Sequence, residues 1–426
     1  MKRDKKLNLD YKWMIVGLCF LMVFTALGFC SSTKGLFVKP VTEALSIKRS
    51  MFSLNDSCRF ITTAIINIFF GALIGKFGAK KLICAGFASL ALSMVIYATA
   101  SNIVLFCVGG CLLGIGLSWT TTTMVGSVIT KWCSENRGTV MGAVLAANGI
   151  GGAVAMQIVS PIIASGAFGY RRAYLTIACV LLAVLALVAV FFKENPKNYT
   201  GEKVVIKKKR GRGQAWSGIE FSEAVKMPYF YGAAICIFFT GFVLQGVTGV
   251  SAPHMQDVGL SAAFVASALS IHALSLTFFK FMTGVLYDKK GLRTTITICS
   301  VTAIIVMILL AVMTASPSGK VIAFIYSLFS SLALPLETIL LPIYAADLFG
   351  EKSFNKVLGI FVSVNTAGYA LGAPTMNAFY DVLKTYTPGF FMGATIMLAV
   401  VISMQFIITK AHKIRREVEE RESFNE

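Results

Sequence analysis

Acidic side chains are scarce. The 426 residues hold 20 Asp and Glu against 39 Lys and Arg, and charged residues make up only 14% of the chain. Ordinary soluble domains carry about a quarter charged residues and about 45–50% apolar ones. Hydrophobic residues here reach 56%, which excludes a water-soluble globule. Strict apolar–polar alternation is missing as well. Continuous apolar runs of about 20 residues recur instead, which excludes a transmembrane β-barrel and indicates membrane-spanning helices. No phosphate-binding loop of the form glycine, four residues, Gly-Lys-Ser/Thr occurs, so the chain has no ATPase of its own. No CxxC or Cys/His spacing points to a metal. The ten cysteines lie mostly inside apolar runs, Cys19, Cys107, Cys111 and Cys236 among them, where they act as small hydrophobes. No Ser/His/Asp set is visible, so neither an enzyme nor a cofactor is expected. The basic head runs into a full-length span without a small-residue cleavage site, so that span is expected to stay attached.

What the chain has is a pattern of spans and charged loops. Twelve spans are expected near 13–38, 56–75, 82–100, 103–130, 139–165, 171–192, 229–251, 261–287, 294–314, 320–346, 356–380 and 387–410. Most Lys and Arg fall in every second loop, which by the positive-inside rule places both termini and the central loop in the cytoplasm. A topogenic loop needs such charges, so the run Lys207–Arg212 is not read as a nucleic-acid site. Residues 193–228 form the one long polar segment, rich in Lys, Gly and Arg, and are read as a cytoplasmic linker. Asn198-Tyr-Thr200 matches a glycosylation pattern but lies on the cytoplasmic side. The domains are therefore 1–192, a first six-helix bundle; 193–228, the linker; and 229–426, a second six-helix bundle with a cytoplasmic tail.

The halves repeat each other. Gly71-Ala-Leu-Ile-Gly75-Lys76-Phe-Gly78-Ala-Lys80-Lys81 ends the second span. Gly284-Val-Leu-Tyr-Asp288-Lys289-Lys-Gly291-Leu-Arg293 ends the eighth, 213 residues later. Val140-Met-Gly142…Ala147-Asn148-x-x-Gly151 in span five is answered by Val357-Leu-Gly359…Val364-Asn365-x-x-Gly368 in span eleven, displaced by 217. Two matches at nearly one displacement, in corresponding spans, argue for duplication. Parallel six-helix repeats are one known transporter plan.

Twelve spans, a central loop and this doubled glycine-acid-base cluster resemble the major facilitator superfamily. Phe37-Val-Lys-Pro40, Lys48-Arg49-Ser50, Lys131-Trp132…Arg137-Gly138-x-x-Met141-Gly142, Asn148-Gly-Ile-Gly151-Gly152 and His254-Met-Gln-Asp257-Val-Gly259-Leu-Ser261 are similar to its oxalate/formate antiporter and monocarboxylate transporter branch. The resemblance implies an all-α fold of two pseudo-symmetric six-helix bundles and alternating-access transport. It implies a cytoplasmic gate at Gly71, Lys76, Gly78, Lys80, Lys81, Gly284, Asp288, Lys289, Gly291 and Arg293, with Asp288 pairing to neighbouring helix ends. Gly75 stands where the family has Asp, so the first latch is expected to be the weaker. The branch carries a substrate-binding Arg in span eight near the position of Lys280. Here the charge is kept and the guanidinium fork is lost. Leu276 replaces the Asp of the eukaryotic members, so their proton relay does not carry over.

Lys280 is the leading candidate residue. A charge at bilayer depth costs about 2.5–3.5 kcal/mol on insertion scales and marks function by default. An anionic solute would stabilise that ammonium; a structural ion pair is the competing reading. Glu337, in Leu334-Pro335-Leu-Glu337-Thr-Ile-Leu-Leu-Pro342, is the acid deep in a span, and the two prolines should bend helix ten. It is read as pairing with Lys280 when the site is empty and taking up a proton when substrate competes, with a static pair or a specificity group as alternatives. His272 is two turns from Lys280, either lining the cavity or, as favoured, satisfied between helices. Arg59 either draws anions in or pairs with Asp56. Lys34 is expected to snorkel to the interface. Trp119 and Thr120 in span four offer an aromatic wall and a hydroxyl, Thr120 falling at the place of Glu337 under the 217-residue displacement. Asn148 and Asn365 bind solute or bridge helices. Gly149, Gly151, Gly152, Gly368 and the pair Gly138/Gly142 read as helix packing.

Together these features lead to a secondary transporter of a bacterial inner membrane, carrying a monocarboxylate or short dicarboxylate as exchanger or proton symporter. A monomer in the lipid bilayer is expected, with no nucleic-acid partner. A carrier for a larger amphiphilic or zwitterionic solute, or a non-transporting sensor of the same fold, are the alternatives.

Overall fold

The computed structural model describes residues 2–132, 137–166, 168–194, 218–338, 340–350 and 352–425, without the side chains of 2–10, 71–72, 130–131, 137–139, 355 and 419–425. Most of the linker, Lys207–Arg212 and Asn198–Thr200 included, lies outside the described residues. So does the side-chain environment of Gly71, although its backbone continues a helix.

The described residues form helices and no strand. Ten helical stretches are long and apolar enough to cross a membrane. One of them, α11 below, holds two expected spans, and the less apolar α3 supplies the remaining one. The chain packs as two units: residues 1–205 with 260–277, and residues 206–259 with 278–426. The division runs through span eight, between Thr277 and Phe278.

In unit 1, span one is α1 (Lys2–Leu27), a π turn (Gly28–Ser32) and α2 (Lys34–Leu45). It is followed by α3 (Arg49–Phe77), α4 (Ala79–Thr99), α5 (Ile103–Thr120), α6 (Thr122–Trp132), α7 (Arg137–Ala164) and α8 (Gly169–Phe191). Asn102 caps α5, its side-chain oxygen accepting from Leu105 N at 3.0 Å, which satisfies one of the orphan amides of a helix start. An aromatic cluster fills the core: Phe37 stacks on Tyr174 at 4.0 Å, and Tyr97 lies between Tyr174 and Phe106.

Unit 2 opens with a short α9 (Phe221–Ala224) and α10 (Pro228–Asp257). Next come α11 (Ala262–Ala311), broken at Gly291, and α12 (Pro317–Phe329). After two 3₁₀ turns (Ser330–Leu332 and Leu334–Glu337) follow α13 (Leu340–Phe349), α14 (Phe354–Leu383) and α15 (Thr387–Asn425). Phe230, Phe349 and Phe361 pack as one cluster, and His254, Tyr386 and Phe390 as another. The stretch from Lys410 onward, read as a tail, continues α15 without a break.

The repeat seen in the sequence is also a repeat of packing. A Cβ on Gly151 of α7 would stand 2.2 Å from the carbonyl oxygen of Phe24 in α1. A Cβ on Gly368 of α14 would stand 2.3 Å from that of Phe238 in α10. Both crossings bring backbone against backbone, which small residues permit. Gly142, read as a packing residue, has nothing within 4 Å of its Cβ position, so that reading is corrected. Gly368→Ala is expected to destabilise unit 2 by about 1–3 kcal/mol through overpacking. Gly142→Ala should be neutral or stabilising by up to about 1 kcal/mol, since alanine is the better helix former. Thermal unfolding of the two variants in one detergent checks the contrast.

Helix ten breaks where its prolines stand. Pro335 has no amide to donate, and Thr338 leaves helical geometry at φ −129°, ψ −67°. Span four breaks at the pseudo-equivalent position, Thr121 at φ −115°, ψ −144°, although no proline is there. The span expected over 103–130 is one apolar stretch, Ile103–Ile129, made of two helices.

Candidate functional site

In unit 2, the part of α11 that begins at Phe278 carries Phe278, Phe281 and Met282 as exposed residues. Lys280 is half-buried, as a charge in a membrane helix should be. Glu337 sits at the end of the second 3₁₀ turn, only 4% exposed. Its Oε1 accepts from Gln245 Nε2 of α10 at 3.4 Å. Its peptide oxygen, freed by the helix break, accepts from Asn365 Nδ2 at 3.2 Å and from the Tyr369 hydroxyl at 3.1 Å, both on α14. The broken strand of helix ten is thus tied to α10 and α14 by side chains that replace lost backbone partners.

Lys280 and Glu337 share a field rather than a contact. Glu337 acts on the ammonium as a through-space charge, while no carboxylate among the described residues lies within ion-pair distance of Lys280. The expected direct pair of the empty site is therefore corrected to a separated one.

Asn365 proves to be a bridge: its amide holds the carbonyl of Glu337, while its Oδ1 faces α10 at Gly241 and has no hydrogen-bond partner among the described residues. Asn148 is half-buried on α7 and its Oδ1 likewise lacks one, as does Trp119 Nε1. Thr120 departs from expectation. It is fully buried, its hydroxyl donates back to Gly116 O at 2.8 Å, and its methyl packs on Gly86 of α4. A β-branched hydroxyl that back-bonds to its own helix offers nothing to a cavity. His272 is buried and packs with unit 1. Gln245 and Tyr369 were not singled out, because neither carries charge nor sits in a repeated motif.

Arg59 pairs with Asp56, its Nε 3.0 Å from Oδ1. Lys34 does not snorkel: its Nζ lies 2.8 Å from Asp56 Oδ2. The π turn re-aims α2, so the lysine meets a carboxylate 22 residues on instead of the interface.

At the basic ends of spans two and eight, Gly78 (φ 81°, ψ 160°) and Gly291 (φ 78°, ψ 175°) adopt one conformation, in a region essentially reserved to glycine. Each opens the next span. After Gly78, Glu194 Oε1 accepts from Ala79 N at 2.8 Å, placing a carboxylate at the start of α4 where the first cluster has lost its Asp. Lys76 and Lys81 are exposed, and Lys80 is half-buried. After Gly291, the Arg293 guanidinium donates to Thr409 Oγ1 and Gln405 Nε2 donates to Arg293 O at 3.2 Å, fastening span nine to α15. Asp288 and Lys289 are exposed, and Asp288 makes no ion pair among the described residues. Gly284 has open space around it. On the same face His412 Nε2 lies 2.7 Å from Asp347 Oδ2, and Arg415 Nη1 3.8 Å from Oδ1.

The comparisons agree with this architecture. The human monocarboxylate transporter 2 is 20% identical over 97% of this chain and 88% of its own length. An uncharacterized MFS-type transporter of Bacillus subtilis, YcxA, is 26% identical over 59% of this chain, and the match spans 61% of that protein. A probable sulfoacetate transporter, SauU, of Cupriavidus necator is 26% identical over 46% of this chain and 45% of its own length. Among solved structures, the nucleoside transporter NupG (D323A mutant) superposes with a TM-score of 0.77 at 13% identity, over 92% of this chain and 99% of that one. A bacterial homologue of the human lysosomal transporter Spinster, inward-facing and occupied, gives 0.70 at 14% identity, over 95% and 97%. The Major Facilitator Superfamily model matches residues 13–341 and 233–425. With nearly the whole sequence so matched and the helical repeat present in both units, the chain belongs to the major facilitator superfamily of membrane transporters.

Proposed function

We propose that this transporter carries a small organic anion, a monocarboxylate or short dicarboxylate, with Lys280 as its counter-charge. The observation that carries the reading is the half-buried placement of Lys280 in a membrane helix, within the field of Glu337 but out of contact with any carboxylate among the described residues. An arriving carboxylate supplies the missing partner, and charge-assisted hydrogen bonds of that kind are about twice as strong as neutral ones. The names of two relatives, a monocarboxylate transporter and a probable sulfoacetate transporter, point to substrates of the same chemistry.

Glu337 is the coupling group in this reading. Anion entry adds a second negative charge near its carboxylate, and taking up a proton removes the repulsion. The alternation of basic loops supports cytoplasmic termini, and the Bacillus relative supports a bacterial inner membrane. The glycine-centred ends of spans two and eight are the hinge of the cytoplasmic gate, with Lys76, Lys80, Lys81, Asp288, Lys289 and Arg293 around it. The protein works as a monomer with lipid as its surroundings. A zwitterionic solute is the second reading, favoured by one feature: a carboxylate 4% exposed beside a neutral amide, Gln245, can also receive an ammonium or hydroxyl.

A thermal-shift panel of purified protein with carboxylates, zwitterions and neutral analogues tests the assignment. A carboxylate is expected to raise the melting temperature, increasingly with concentration, and Lys280→Gln to weaken that shift. A shift with amino acids alone would select the second reading, and no shift from any carboxylate would reject the first.

A further inference from the structure

Unit 1 contains a charged cluster that the Lys280–Glu337 reading does not use. Asp56 of α3 divides its two oxygens between two cations, Oδ2 with Lys34 Nζ and Oδ1 with Arg59 Nε. Arg59 Nη1 donates to Ser31 Oγ at 3.1 Å, and the guanidinium lies 4.1 Å from the centre of the Phe60 ring. The Arg59 side chain is 6% exposed.

The backbone is shaped for this cluster. Ser31 belongs to the π turn Gly28–Ser32, a wider turn that inserts residues into the helical ladder. Each α-helical residue turns the chain by about 100°, so the insertion rotates all that follows. It brings the Ser31 hydroxyl to Arg59 and the Lys34 ammonium to Asp56. The turn is pinned: a Cβ on Gly28 would stand 2.4 Å from the carbonyl carbon of Gly151. Single π turns weaken local hydrogen bonding and are kept where they place a functional group.

The hydrogen-bonding capacity of Arg59 is only partly used. A guanidinium presents five N–H donors in a planar fork. Asp56 meets the Nε edge through a single oxygen, and Ser31 takes one donor of Nη1. The outer edge of the fork, which matches a carboxylate with two parallel bonds, has no protein acceptor on it among the described residues. A planar oxyanion would occupy the open edge of the Arg59 fork.

We infer that Arg59, with Ser31 and Lys34, forms an anion site in unit 1 for a small planar oxyanion of the carboxylate class, and that Asp56 holds the two cations in place for it. Its groups all belong to unit 1, and none of them enters the reading of unit 2. Its ligand is either a carboxylate of the transported class or an inorganic planar anion such as nitrate.

Sodium formate, acetate, nitrate, chloride and gluconate, compared at equal sodium concentration by thermal unfolding of the purified full chain, decide the matter. Formate, acetate or nitrate is expected to raise the melting temperature saturably and more than chloride or gluconate. Arg59→Lys keeps the charge but loses the fork, and should shift the midpoint of that curve at least about tenfold to higher anion concentration. Lys280→Gln should keep a saturable response that disappears when Arg59→Lys is added to it, which tells the Arg59 response from that of Lys280. An effect of nitrate equal to that of the carboxylates assigns the site to planar oxyanions at large; an effect of carboxylates alone assigns it to the transported class. An Arg59→Lys curve identical to the native one, a loss of the effect in Lys280→Gln, or no stabilisation by any planar anion overturns the proposal. Should Arg59→Lys fail to fold, Ser31→Ala serves in its place: a several-fold weaker response supports the site and an unchanged one rejects it.

Discussion

Lys280→Gln is expected to reduce uptake of the anion by at least about 100-fold, which corresponds to about 2.7 kcal/mol of lost interaction. Glutamine is one bond shorter but polar and unbranched at Cβ, so the loss reports chiefly on charge. An ammonium inside the membrane has already lost most of its hydration, and only a negative partner restores what burial removed. Glutamine needs no such partner, so the variant should fold at least as well as the native chain while binding the anion poorly. Counterflow of a labelled carboxylate in proteoliposomes measures it, using the compound selected by thermal shift. Lys280→Arg is the companion variant. The branch resembled in the sequence carries Arg near this place, so the longer fork should keep a substantial part of the transport. Counterflow in Lys280→Gln at the native rate would remove Lys280 from the mechanism.

Glu337→Gln should separate movement of the solute from movement of the proton. Glutamine preserves the shape and can still hydrogen-bond to Gln245, and the peptide oxygen still accepts from Asn365 and Tyr369. What disappears is a group able to gain and lose a proton. Solute-for-solute counterflow is therefore expected to persist within a few-fold. Accumulation driven by an imposed proton gradient should fall at least about tenfold, a loss of about 1.4 kcal/mol or more in coupling. Measuring both fluxes in one proteoliposome preparation checks the split. A variant that still accumulates solute in response to the gradient would leave Glu337 a specificity group and nothing more.

Much of the fold was legible because membrane helices are announced by length and hydropathy, and because the two halves echo each other at 213 and 217 residues. The bend in helix ten was legible too, since proline at 335 lacks a donor wherever it is placed. The break at Thr121 was not: a run of threonines in span four carries no missing amide, and only the pseudo-equivalence with Thr338 would have suggested it. Thr120 shows the limit of that equivalence, because a short β-branched hydroxyl reaches its own helix before it reaches a cavity. Lys34 was misread for a different reason. Whether it turns to the interface or to Asp56 depends on one wide turn at residues 28–32, and nothing in Gly-Phe-Cys-Ser-Ser marks that turn. Gln245 and Tyr369 are neutral, and their part appears only when helix ten opens and exposes a carbonyl between them.

Where Gly151 rests on the Phe24 carbonyl and Gly368 on that of Phe238, main chains touch with no side chain between them to act as a bearing. Such a joint has no soft layer in which one helix could slip by part of a residue. Span one must therefore travel with span five, and span seven with span eleven, as single levers, so shape change during a transport cycle falls to helices that lack such a weld.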